Sequence, residues 1–210
     1  MKKLLCIALC AALLGGCGYN RFQALDEQIT AAQSEILNQY QRRADLIPNI
    51  VATVKAQADF EKSTLEAVIA SRNKALSLNM TPEMMNDPAA LKKFQQTQSE
   101  LGGALSRLIA VAEQYPQLQA NQGFHDLRVT LEGTENRITV ARNGYIQAVK
   151  EYNVLVRQFP TNFTAKYFDY QTKANFTVEN EAALAKPPTV DFGSFGHQPG
   201  AVPAPTASQP

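Results

Sequence analysis

The sequence predicts an all-α protein, an antiparallel bundle of three long helices with room for a short fourth helix at the C-terminal end. Three observations point there. Glycine is absent from Tyr19 to Leu101, and proline interrupts that stretch only at 48, 82 and 88. Apolar residues recur with the three-and-four alternation of a helix face through three separate segments. Alternating strand patterns are weak throughout. The 45% hydrophobic and 19% charged composition of the 210 residues can bury a core.

The chain opens with Met1-Lys2-Lys3 and an uncharged apolar run from Leu4 to Leu14. Crossing the hydrocarbon of a bilayer takes about 20 residues, so this run is too short to span and has the length of a signal-peptide core. It ends in Leu14-Gly15-Gly16-Cys17, which resembles a bacterial lipobox. That resemblance implies a lipoprotein signal peptide over residues 1–16 and a mature chain whose first residue, Cys17, carries diacylglycerol and an N-acyl chain such as palmitate. Three acyl chains exceed the two signals that stable anchoring requires. Gly18 follows the cysteine where an aspartate would favour inner-membrane retention. The expected location is therefore the outer membrane, facing the periplasm, in a cell with two membranes. An ordinary signal peptide with a coincidental cysteine is the alternative.

The first helical stripe runs Phe22, Leu25, Ile29, Ile36, Tyr40, Ile47, Ile50, Val54, Leu65, Val68, Leu76, about eight heptads. Its phase survives Pro48, which suggests one kinked continuous helix, although Asp45 could instead cap a new one. Asn79 to Pro88 reads as a loop. Asp87-Pro88 then starts a second helix, with aspartate as N-cap and proline in the first turn. It carries Leu91, Phe94, Leu101, Leu105 and Leu108, and Gly102-Gly103 suggests close helix contact or a bend. The third helix holds Phe124, Leu127, Leu131, Ile138, Tyr145, Val149, Tyr152 and Val156 up to Phe159-Pro160. The aromatic stretch Asn162–Ala174 suits a short closing helix. A helical domain over 17–186 and a flexible proline-rich tail over 187–210 complete the organisation.

Chemistry is scarce. Cys6, Cys10 and Cys17 all lie in the first 17 residues, so the rest of the chain has no disulfide, thiol nucleophile or cysteine-based zinc site. His125 and His197 lie far apart. No phosphate loop, nucleophile elbow or zinc-protease motif occurs. A net charge of +1 gives no nucleic-acid footprint. No enzyme, metal or cofactor is expected.

Charged residues interrupt the stripes at Arg43, Glu61 and Arg72, and again at Glu135 and Arg142. Each is either a stem along the bundle edge with its head in water or part of an inter-helical ion pair. If the first helix is continuous, the second undoes about 27 residues of rise and the third begins beside about residue 52. That count places Glu135 near Arg72 as a candidate structural ion pair. It also leaves residues 22–50 uncovered, to be paired with another chain, left as a stalk, or covered by the C-terminal segment.

Asn38-Gln-Tyr-Gln-Arg-Arg-Ala-Asp-Leu-Ile-Pro-Asn-Ile-Val51 resembles the signature of the LemA family. Further matches follow in order. They include Tyr19-Asn20, Glu61, Arg72, Tyr115-Pro116, Thr134-Glu-Asn-Arg-Ile138, Arg142, Tyr145, Tyr152-Asn153 and Pro188-Thr-Val-Asp-Phe192. Ile146 departs from the family's usual asparagine. The resemblance implies a helical bundle attached to membrane by its N-terminus, with no established reaction or ligand. A non-enzymatic interaction or scaffold module with an unidentified envelope protein partner, or a second copy of itself, fits best. Arg42, Arg43, Asp45 and Asn49 form its candidate partner surface. A carrier of an apolar ligand, lined by Tyr145, Tyr152 and Phe168, is the alternative, and a hydrolase a remote one.

Overall fold

The computed structural model describes the backbone of residues 2–56 and 60–176 and the side chains of 18–56 and 60–176. The side chains of the expected signal peptide, the Cys17 thiol, the 187–210 tail and the Pro188–Phe192 motif lie outside the described residues.

The described residues are helical, without strands. α1 spans Lys2–Lys55, α2 Lys62–Ser77, α3 Pro88–Ala112, α4 Pro116–Gln119, α5 Gln122–Arg157 and α6 Thr161–Tyr167. Pro48 lies inside α1 and does not end it. The continuous helix expected through residue 76 is instead divided between Lys55 and Lys62, and α2 folds back along α1. The reason is burial. A straight rod would hold Leu65, Val68 and Ala75 out in water. The reversal packs them in one cluster with Ile47, Ile50 and Val54 of α1 and Leu101, Leu105 and Leu108 of α3. Phe60, at the reversal, lies 5.2 Å from the Tyr115 ring, centroid to centroid. Glu61 precedes α2 and accepts from the hydroxyls of Ser63 (2.8 Å) and Thr64 (3.0 Å). These bonds lower its carboxyl below the usual range.

The extra reversal changes the architecture from three long helices to four, running up, down, up, down. Contacts between residues 33 and 86, 40 and 94, and 43 and 98 set α1 and α3 parallel. Contacts between residues 43 and 135 and between 22 and 152 set α5 antiparallel to α1. The start signal of α3 holds, and α5 has a cap of its own. Asp87 accepts from the Ala89 amide at 3.0 Å with Pro88 in the first turn, and Asn121 accepts from Phe124 at 3.1 Å. Of the close helix contact or bend expected at Gly102-Gly103, no approach close enough to require glycine is found. A Cβ at Gly102 would come no nearer than 3.7 Å to Arg43 Nη1, and one at Gly103 would meet nothing within 4 Å.

Two apolar clusters stack along the bundle. One joins Ile47–Val54, α2, the second half of α3 and the start of α5. The other joins Phe22–Tyr40, Met85–Phe94, the second half of α5, Ala165 and Phe176. The stretch of α1 that three helices would have left bare is covered mainly by the antiparallel α5, with residues 85–94 and the C-terminal segment; only the last of these is among the three options.

Candidate functional site

The boundary between the clusters is polar. Arg43 sits on the α1 stripe, so helix geometry aims it inward, and its side chain is 4% exposed. Its Nη1 donates to Glu135 Oε1 at 3.0 Å. Its Nη2 donates to the Gln98 carbonyl (3.0 Å) and to Gln98 Oε1 (2.6 Å). The guanidinium lies 5.0 Å from the Tyr40 ring centre. One arginine thus ties α1 to α3 and α5 at a single height, which fixes their register.

The ion pair expected between Arg72 and Glu135 is not formed: Glu135 is held by Arg43. In a bundle of three long helices α5 would run parallel to α1. With the reversal after Lys55, α5 runs antiparallel and brings residue 135 beside residue 43. Arg72 has a different task. A proline at 48 supplies no amide hydrogen, so the Ala44 carbonyl, four residues earlier, loses its helical donor. Ala44 is buried, and an unpaired carbonyl there is costly. Arg72 Nε donates to that oxygen at 2.8 Å. The proline of α1 and the arginine of α2 are one device.

The motif residues of α5 meet the C-terminal segment. The amide group of Asn153 pairs with the Lys173 backbone in both directions: Nδ2 donates to its carbonyl at 3.0 Å, and its N–H donates to Oδ1 at 2.8 Å. Tyr145 is fully buried, donates to the Ala174 carbonyl at 2.7 Å and meets the Phe176 ring edge-on. Burial raises its phenol pKa. The Arg142 guanidinium lies 5.0 Å from the Phe176 ring centre. Tyr152 packs edge-on against Phe22. Burial, with the nearby Asp26 carboxylate and Tyr170, pushes its phenol up to about 12. Lys173 Nζ pairs with Asp26 at 2.7 Å and lies over the Tyr152 ring. Segment 170–176 is therefore a strap clamped across α1 and α5. Nothing in the residue pattern announces Asn153's two-way bond, because its partner is backbone.

The strap begins beside the part of α1 that follows Cys17. Gly18 is buried, and a Cβ on it would lie 3.2 Å from Thr164 Oγ1 and 3.5 Å from Thr161 Cγ2 of α6. Tyr19 packs on Phe168, ring centres 5.1 Å apart, and Gln23 Nε2 donates to the Tyr170 hydroxyl at 2.8 Å.

Of the candidate partner surface, Arg42, Asp45 and Asn49 are exposed, three and four residues apart on one face of α1. Arg43 does not belong with them, because the 100° step between neighbours turns it into the core. Asp45 accepts from Gln41 at 2.8 Å. Tyr145 and Tyr152 are packed against Phe176, Phe22 and the strap, while Phe168 lies on the surface. A separate open cleft of about 450 Å³ lies between α3 and α5. Its floor is Leu105, Ile109 and Leu131, and its rim holds Glu113, Arg128 and Glu132.

The sequence model of the LemA family matches residues 32–192. Magnetosome protein MamQ 2 and Magnetosome protein MamQ 1 of Paramagnetospirillum magneticum are each 29% identical over 163 residues, 70% of this chain and 60% of theirs. Magnetosome protein MamQ of Magnetospirillum gryphiswaldense is 24% identical with the same coverage. The match thus spans 60% of the length of these curated relatives.

Proposed function

The chain belongs to the LemA family, and from that premise we propose that it is a non-enzymatic, lipid-anchored envelope protein whose bundle acts as an interaction or scaffold module. The observation that carries this reading is the seam at Gly18. The part of α1 that follows Cys17 enters the folded body at once, with Gly18 against α6 and Tyr19 against Phe168. A lipid on Cys17 would therefore hold the bundle directly at the bilayer, with no flexible tether between. The glycine after Cys17 favours the outer membrane, periplasmic side, where two membranes exist.

The internal polar groups support a scaffold rather than a catalyst. Arg43, Glu135, Arg72 and Asn153 bond to other helices or to backbone. The exposed row of Arg42, Asp45 and Asn49 is the proposed partner face, offering a planar cation, a carboxylate and an amide side by side. A photocrosslinking residue at position 45 of the full chain in intact cells tests it. The expected outcome is one discrete adduct, absent when the crosslinker is at Val140. An adduct of twice the chain's mass identifies the partner as a second copy. The absence of adducts from positions 42, 45 and 49 alike would overturn the surface.

A further inference from the structure

All the strongly exposed aromatic side chains among the described residues lie at one end of the bundle. Phe159, Phe163 and Tyr167 are 74%, 65% and 83% exposed, and Phe168 and Tyr19 are 47% and 40% exposed. The other exposed large apolar residues are Ile69, Met84, Val129, Val140 and Val154. None of them is aromatic, and isolated exposed aliphatics are ordinary. A patch of rings in water is not ordinary and marks a surface that is covered in use.

The patch is built by α6. That helix turns Thr161, Thr164 and Ala165 inward, against Gly18 and the core. Phe163 and Tyr167, four residues apart, share the opposite face. The rings lie against one another. Phe159 and Phe163 are 6.0 Å apart, Tyr167 and Phe168 4.9 Å, and Tyr19 and Phe168 5.1 Å. Exposed Lys166 and Arg157 flank them, with Asp169 the exposed acid in the same stretch.

We propose that this aromatic face seats in the headgroup–acyl boundary of the membrane beside Cys17, so that the bundle is docked on the bilayer as well as tied to it. The inference rests on the anchor reading above. The position of the patch selects the occupant. Cys17 leads into the body through Gly18, and Gly18 lies against α6 itself. Whatever holds residue 17 at the membrane brings α6 there too. Tyrosine and phenylalanine with lysine and arginine beside them are the side chains that settle at that depth, where rings meet acyl carbons and polar tips meet water. The bilayer is also present at high effective concentration once the chain is anchored, so each ring need contribute little.

The chain has no tryptophan, so Phe163→Trp introduces a unique fluorophore. The full-length lipidated variant is placed in vesicles of phosphatidylethanolamine and phosphatidylglycerol, with or without dibrominated phosphatidylcholine. The expected result is blue-shifted emission that brominated lipid lowers by about twofold or more. The control is Val140→Trp, 70% exposed on α5 and about 25 Å along the bundle from Gly18, which bromine should leave unchanged. If the protein floats with vesicles while the Phe163→Trp form is quenched no more than the Val140→Trp form, the docking is wrong and the anchor stands. If the protein does not float, the anchor fails and the docking with it. Blue-shifted emission that bromine does not quench would assign the face to a second protein and overturn the proposal.

Discussion

Replacing Arg72 tests whether it exists to repair the defect that Pro48 makes in α1. The bond at stake runs from Nε to the Ala44 carbonyl, 2.8 Å long, and Ala44 is 3% exposed. Arg72→Met keeps much of the stem's packing and removes the donor. A hydrogen bond from a charged group contributes about 1.5–3 kcal/mol, and a buried carbonyl left bare costs about 1–3 kcal/mol. Arg72 is half-buried, so water reaches part of the site, and a loss of about 2 kcal/mol is expected. With alanine at position 48, its amide can bond the same carbonyl as in any helix. In that background Arg72→Met should cost less than about 0.7 kcal/mol, so the coupling between the two positions exceeds about 1 kcal/mol. Urea unfolding of the four proteins, with the slope held common, measures it. If Arg72→Met costs the same with proline or alanine at 48, the two residues are independent and the reasoning is refuted.

The Arg43 node predicts asymmetric losses. Glu135→Ala strands a buried guanidinium on Gln98 alone, and should cost about 2–3 kcal/mol, below the roughly 3–5 typical of a fully buried pair because Glu135 is 45% exposed. Arg43→Met with Glu135→Leu should recover most of that loss in the same urea measurement. The Tyr152 phenol sits at about 12 in the folded protein, above the ordinary value near 10, so the fold favours its protonated form. That stabilisation is fully present below about pH 10 and is lost as pH rises from there through about 12, by an amount on the order of 2 kcal/mol. Thermal melts of the wild type should fall across that window, and Tyr152→Phe should fall less steeply. Gly103→Ala, in the middle of α3 with open space at its Cβ, should raise stability by about 0.5–1 kcal/mol, read as a higher urea midpoint.

Much of the architecture is legible in the residues because it depends on local chemistry. Asp87-Pro88 announces the start of α3, and the stripe of α5 marks its length up to Phe159-Pro160. The reversal after Lys55 is not legible. A stripe that keeps its phase across a turn looks the same whether the chain goes straight or folds back, and only the burial of Leu65 and Val68 against α3 decides between them. That one reversal inverts α5, which is why Glu135 meets Arg43 rather than Arg72. The inward aim of Arg43 follows from its place on the stripe, one residue from Arg42 but a third of a turn away. The partner of Arg72 is harder, since it is a backbone oxygen created by an absent hydrogen at Pro48. The strap is least visible, because Asn153 and Tyr145 bind main-chain groups that any sequence would offer.

The central claim is that the bundle is fixed to the membrane through Cys17 at the end where Gly18 meets α6. Intact-mass spectrometry of the protein purified from membranes tests this most directly. The expected mass is that of a chain that begins at Cys17 and carries diacylglycerol and one further acyl group, with a Cys17→Ser form that carries none of them. A wild-type mass equal to the unmodified chain, whether it starts at Met1 or after an ordinary cleavage, would contradict it.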